Sequence, residues 1–145
     1  MDFTRALGYA AAILLTACAT SDRVMPKAVQ SPQCTLPQCN YTIQVLSCTP
    51  QGIIPEYEEI HVAKGTHRIH WVITSPGATF AANGIEFPTR PAELTNGVRV
   101  NSKEFSWTVT NNTPQGAPEK RFKYDIRVVD SSGATCLHDP SVVND

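Results

Sequence analysis

Every apolar run after Tyr41 is short, alternates with polar residues and is cut off by Pro, Gly or Asn. An amphipathic helix repeats its apolar residues three and four positions apart, whereas a half-buried strand repeats them every second position. Runs of the second kind occupy 41–45, 60–62, 69–73, 78–81, 84–87, 98–100, 105–109 and 122–128. That makes about eight strands at the spacing of a sandwich or barrel. The breaks have turn chemistry, since Gly65, Gly77, Gly84, Gly97 and Gly133 follow Lys, Pro, Asn, Asn and Ser, and glycine tolerates the backbone that such turns need. Eleven prolines and only two methionines oppose a helical bundle, and neither heptads nor an internal repeat occurs. Trp71 and Trp107 share parity with the apolar residues of their runs, which assigns both to the core.

The N-terminal residues read as targeting. Arg5 is set against Asp2, and the apolar stretch 6–15 is too short to span a bilayer, so 1–17 has the form of a signal peptide. Leu15, Thr16, Ala17 and Cys18 resemble the lipobox of bacterial lipoproteins. The resemblance implies that Cys18 is acylated and becomes the new N-terminus, with the membrane as a partner through that lipid. Ala19 after the cysteine implies outer-membrane sorting, facing the periplasm. Removing 17 of 145 residues leaves 128, enough for one domain with a real core. Residues 18–38, rich in Ser, Pro and Gln without periodicity, are expected to be a lipidated tether, reaching roughly 25 Å, ahead of a single domain at 39–145. The net charge of −1 survives cleavage because Asp2 and Arg5 leave together, so no basic stripe exists for nucleic acid.

Residues 54–71 carry a Pro (Pro55), a strand reading Ile60-x-Val62, a Gly65-Thr66 turn and a strand that reaches Trp71. This resembles the cupredoxin-like family. It implies an all-β, antiparallel Greek-key sandwich with Gly65 at a turn and Ile60, Val62, Ile69 and Trp71 facing the interior. An immunoglobulin-like sandwich is the alternative architecture. Copper-binding members carry a first His after that Trp, then a strand reading aromatic-x-Tyr-x-Cys followed by His and Met. Here 72–80 has no His, Phe122 and Tyr124 match the strand, the thiolate position is Ile126, and no Met follows Cys136. The resemblance therefore implies the scaffold without its blue-copper ligands, and no cofactor is expected.

The remaining candidates for chemistry are the histidines and cysteines. His67 and His70 fall on opposite faces of one strand, His61 alternates outward between Ile60 and Val62, and His138 shares parity with Cys136. Cys136 and His138 are thus a possible two-ligand nucleus, and Cys34, Cys39, Cys136 and His138 a possible zinc set of poor spacing. Against both stands an even count: beyond Cys18, the cysteines Cys34, Cys39, Cys48 and Cys136 can pair in three ways in a disulfide-permissive compartment. The favoured pairing joins Cys34 to Cys39 and Cys48 to Cys136, the long bridge being worth about 4.6 kcal/mol and the short one about 2.2 kcal/mol by loop entropy. Under it, no metal ligand set remains.

Glu56, Glu58 and Glu59 read as a solvated loop entering a strand. Arg121, Lys123, Asp125 and Arg127 form a charged outer face, structural or a docking surface. No nucleophile elbow, zinc-protease helix or phosphate loop occurs, so no catalytic residue is assigned and the chain is read as no enzyme. The sequence thus points to a non-enzymatic, lipid-anchored module of the cell envelope that binds an envelope protein or ligand through loops or a sheet edge. The alternative is a periplasmic copper- or metal-binding cupredoxin-like protein.

Overall fold

The computed structural model describes residues 29–145. The signal peptide expected at 1–17, the expected lipidation site Cys18 and the first part of the expected tether lie outside the described residues. Eleven strands follow: β1 (Gln38–Val45), β2 (Ile53–Pro55), β3 (Glu59–Val62), β4 (Gly65–Ile73), β5 (Thr79–Glu86), β6 (Leu94–Asn101), β7 (Glu104–Asn111), β8 (Lys120–Lys123), β9 (Asp125–Val129), β10 (Thr135–His138) and β11 (Ser141–Asn144). The only helical piece among the described residues is one 3-10 turn, Pro50–Gly52, between β1 and β2.

The strands make an all-β sandwich. One five-stranded sheet runs β2-β1-β4-β7-β6, and two three-stranded sheets run β10-β9-β5 and β3-β11-β8. Most pairs are antiparallel as expected, but β1 pairs with β4 and β3 with β11 in parallel. Parallel neighbours need a crossover. Here the chain supplies it by visiting another sheet, since β3 lies between β2 and β4 in sequence but hydrogen-bonds to β11 in a different sheet.

Alternation places the core as expected. Ile60, Val62, Ile69 and Trp71 are at most 1% exposed, and Gly65 opens β4 with φ 115°, where a side chain would be strained. Trp71 is fully buried, while Trp107 is half-buried, its ring edge-on to Phe87 and its indole N–H donated to the Ile85 carbonyl at 3.0 Å. The runs at 78–81 and 84–87 join into β5 through an irregularity between Phe80 and Ile85. There Gly84 lies against the Phe80 side chain with no room for a Cβ.

Two expectations change. The run 122–128 is not one closing strand. It keeps its parity through Phe122, Tyr124, Ile126 and Val128, but at Tyr124 the ladder changes partner. β8 pairs with β11, β9 pairs with β5 and β10, and the Tyr124 N–H goes to the Pro140 carbonyl at 3.1 Å. The last strand is instead β11, the central strand between β3 and β8, and its four residues are all buried. The second change concerns residues 29–38, which lie on the domain and not apart from it. Gln30 and Cys34 bridge to Glu59 and Val62, and the Ser31 and Cys34 N–H groups donate to the Glu59 and His61 carbonyls at 2.8 and 2.7 Å.

The disulfides pair Cys34 with Cys39 and Cys48 with Cys136, at Cα–Cα distances of 5.9 and 5.0 Å. The first fixes the N-terminal arm to β1. The second joins the β1–β2 connection to β10 and so ties two sheets together across 88 residues of chain.

Candidate functional site

The Cys48–Cys136 bridge, which faces the end of β9, is the one place among the described residues where three metal-capable groups converge. The ligand atoms of Cys48, Asp130 and Cys136 all lie within 4.8 Å of one another. Cys136 is 5% exposed on β10, and Asp130 directly follows β9, its antiparallel neighbour, so two of the three sit on one hairpin. Asp130 is held by the turn it starts. Its Oδ1 accepts from the Ser132 N–H at 2.8 Å, the Ser132 hydroxyl at 2.6 Å and the Ala134 N–H at 3.0 Å. The Ser132 hydroxyl first, and then the backbone N–H groups, hold this carboxyl below the usual carboxylate range. As long as the bridge is closed, neither sulfur is a thiolate and the group binds nothing.

The nucleus of Cys136 and His138 does not assemble, because Cys136 is bridged and the His138 Nε2 meets both oxygens of Glu58 at 3.0 Å. Nor do the four histidines converge. His67 is buried, with Nδ1 2.6 Å from the Leu36 carbonyl and Nε2 3.3 Å from that of Lys64, so it fastens the arm to the β3–β4 turn. His70, on the opposite face of β4, meets Glu104 at 3.4 Å through Nε2 and Gln38 at 3.4 Å through Nδ1. Ser106 is its cross-strand neighbour, yet both ring nitrogens of His70 already face other side chains, so the pair is not set up as nucleophile and base. His61 is half-buried beneath Asp145, 3.1 Å from Nδ1, with Glu59 3.8 Å from Nε2. The copper-thiolate position of the resemblance, Ile126, is fully buried and apolar.

The charged outer face of β8 and β9 is self-paired. Arg121 donates to Glu59, Lys123 to the Asp139 carbonyl, and Arg127 to both Glu86 and Asp125. Glu59 rises with burial but ends below its ordinary value, chiefly because Arg121 and Gln30 donate to it. Glu86 is lowered by Arg90, then Arg127, then Asn83. These charges stabilise one another and leave no single-sign patch for steering.

Sequence reasoning missed Asp130 altogether. Its signal was local and ambiguous, an Asp before Ser-Ser-Gly, which reads as a turn former wherever it occurs. It also missed β6 as a surface. Seven of its eight residues are exposed, with Val98 at 51% and Val100 at 50%. No protein-family model matches the sequence, and no curated protein matches it.

Proposed function

We propose that the chain is a non-enzymatic, lipid-anchored module of the bacterial cell envelope, with a cupredoxin-like sandwich, that works by binding an envelope protein through β6. The observation that carries the reading is the exposed run 95–101 on that edge. Among the described residues only β7 pairs with it as a strand, and it has neither Lys nor Pro, the usual guards of an open edge. Its single charge, Arg99, is turned aside to the Phe80 carbonyl at 2.8 Å. Two register shifts curve the strand, so the contact is made by Val98 and Val100 as side chains and not by a long flat ladder. The lipobox-like residues before Cys18 support the anchor. The inward Ile126 and the dispersed histidines support a scaffold used for binding and not for copper.

A photo-crosslinking residue at position 98 or 100 in intact cells tests it. The expected result is one adduct of defined mass, formed from 98 and 100 but not from Thr42 on β1, and lost in Val98→Lys. Cys18→Ser should release the protein from the membrane fraction. Recovery of the protein alone from both β6 positions overturns the docking reading, and retention of Cys18→Ser on the membrane overturns the anchor.

A further inference from the structure

Cys48, Asp130 and Cys136 stand together in a way the other bridge does not. Among the described residues no carboxylate or imidazole completes a comparable trio with Cys34 and Cys39. We propose that the Cys48–Cys136 disulfide is the oxidised, closed form of a zinc-class metal site whose third ligand is Asp130. This site is independent of the docking reading.

Opening requires a dithiol reductant. The disulfide takes up two electrons and two protons and becomes two thiols, while the reductant's dithiol becomes a disulfide. Metal binding then releases the two thiol protons to solvent and leaves two thiolates and one carboxylate on the ion. Two thiolates and an oxygen, with a fourth position left to water, suit Zn²⁺ by donor type and number.

The geometry needs little rearrangement. With metal–sulfur bonds of about 2.3 Å in a tetrahedron, the sulfurs stand about 3.8 Å apart. Backbones 5.0 Å apart at Cα allow that by side-chain rotation. The carboxylate is already placed by its turn. All three hydrogen bonds from its turn fall on Oδ1, and Oδ2 accepts none of them. Two of the ligands are on the β9–β10 hairpin, which pairs through four residues of each strand. Cys48 is only half-buried, which gives a reductant access from the β1–β2 side.

The test uses the full chain carrying Cys18→Ser, Cys34→Ser and Cys39→Ser, so that a single cysteine pair remains. After reduction with a phosphine, Co²⁺ should give a thiolate charge-transfer band that saturates at one equivalent and disappears on adding Zn²⁺. The oxidised chain should give no band. Asp130→Asn, which leaves both cysteines in place, should weaken Co²⁺ by about tenfold or more, since even groups behind the metal ligands contribute that much. Absence of the band overturns the proposal, as does a band of unchanged affinity in Asp130→Asn. Loss of near-UV dichroism on reduction that Zn²⁺ does not restore overturns it too, because the site requires the folded hairpin.

Discussion

Trp71 donates its indole N–H to the phenolic oxygen of Tyr124 at 3.2 Å, with the two rings 5.3 Å apart between centroids and both side chains out of reach of water. Tyr124 also packs against Phe87 at 5.3 Å, so it joins β4 of the large sheet to the segment where β8 gives way to β9. Burial pushes its hydroxyl well above the ordinary tyrosine value, which keeps it neutral, and its oxygen lone pair accepts from Trp71.

Tyr124→Phe tests this contact with almost no change in volume. It removes the acceptor and leaves a buried indole N–H without a partner, which costs about 1–3 kcal/mol. The urea midpoint should fall by that equivalent with the slope unchanged. Trp71→Phe, which removes the donor and shrinks the ring, should cost more because it adds a cavity to the lost bond.

The two disulfides should differ in weight. Opening the bridge with a sequence separation of 88 releases about twice the chain entropy of opening the one with a separation of 5, about 4.6 against 2.2 kcal/mol when both cysteines are counted in each loop. Double Ser variants of each pair, compared by urea unfolding, should rank in that order. The Cys48/Cys136 double variant should also expose the end where β2 and β10 meet to proteolysis before the rest of the domain. Equal losses would mean that the pairing of β9 with β10 holds that end without the bridge.

Two glycines separate close approach from backbone conformation. At Gly97 a Cβ would lie 2.3 Å from the Trp107 ring. Gly97→Ala must therefore displace a ring whose N–H holds β5, and should cost about 1–3 kcal/mol. At Gly116 a Cβ meets nothing within 4 Å but φ is +77°, so Gly116→Ala should cost only the left-handed strain, about 1–2 kcal/mol. Trp emission should shift in the first variant and not in the second.

What the sequence made legible follows from the period of two. Parity set Ile60, Val62, Ile69 and Trp71 on the apolar side of their strands, as the resemblance also implied, and His67 and His70 on opposite faces, because side-chain direction along a strand is a local property. The even cysteine count called for two bridges, and of the three pairings the favoured one is the one observed. Pairing partners are not local. Nothing in Phe122 to Val128 distinguishes a strand with one neighbour from one that changes sheets at Tyr124, since both keep the same alternation. β11 escaped for the opposite reason: Ser141, Val142, Val143 and Asn144 do not alternate, because side chains on both faces of this central strand are buried. Asp130 is close to Cys48 only because β9, β10 and the bridge converge, a long-range fact that no spacing records.

The carboxylates of the outer face predict how the fold responds to acid. Glu86 accepts from Arg90, Arg127 and Asn83, and its folded value is depressed. A depressed carboxyl contributes stability that is fully present above its unfolded value, about pH 4.3, and is lost as pH falls through the lower folded value. Glu59, Glu93 and Asp130 are depressed as well and act in the same direction. The urea midpoint should therefore be nearly flat from pH 7 to about 5 and fall steadily below about 4.3. Glu86→Gln removes one of these groups while keeping a side chain of the same size. At pH 7 it should be less stable than the wild type by an amount within the small range of exposed ion pairs, about 1 kcal/mol or less. The two curves should converge as pH falls through the depressed folded value, below which Glu86 is protonated in both states. A gap that stays constant throughout the acid limb, until the domain itself unfolds, would show that Glu86 acts by packing and not by its charge.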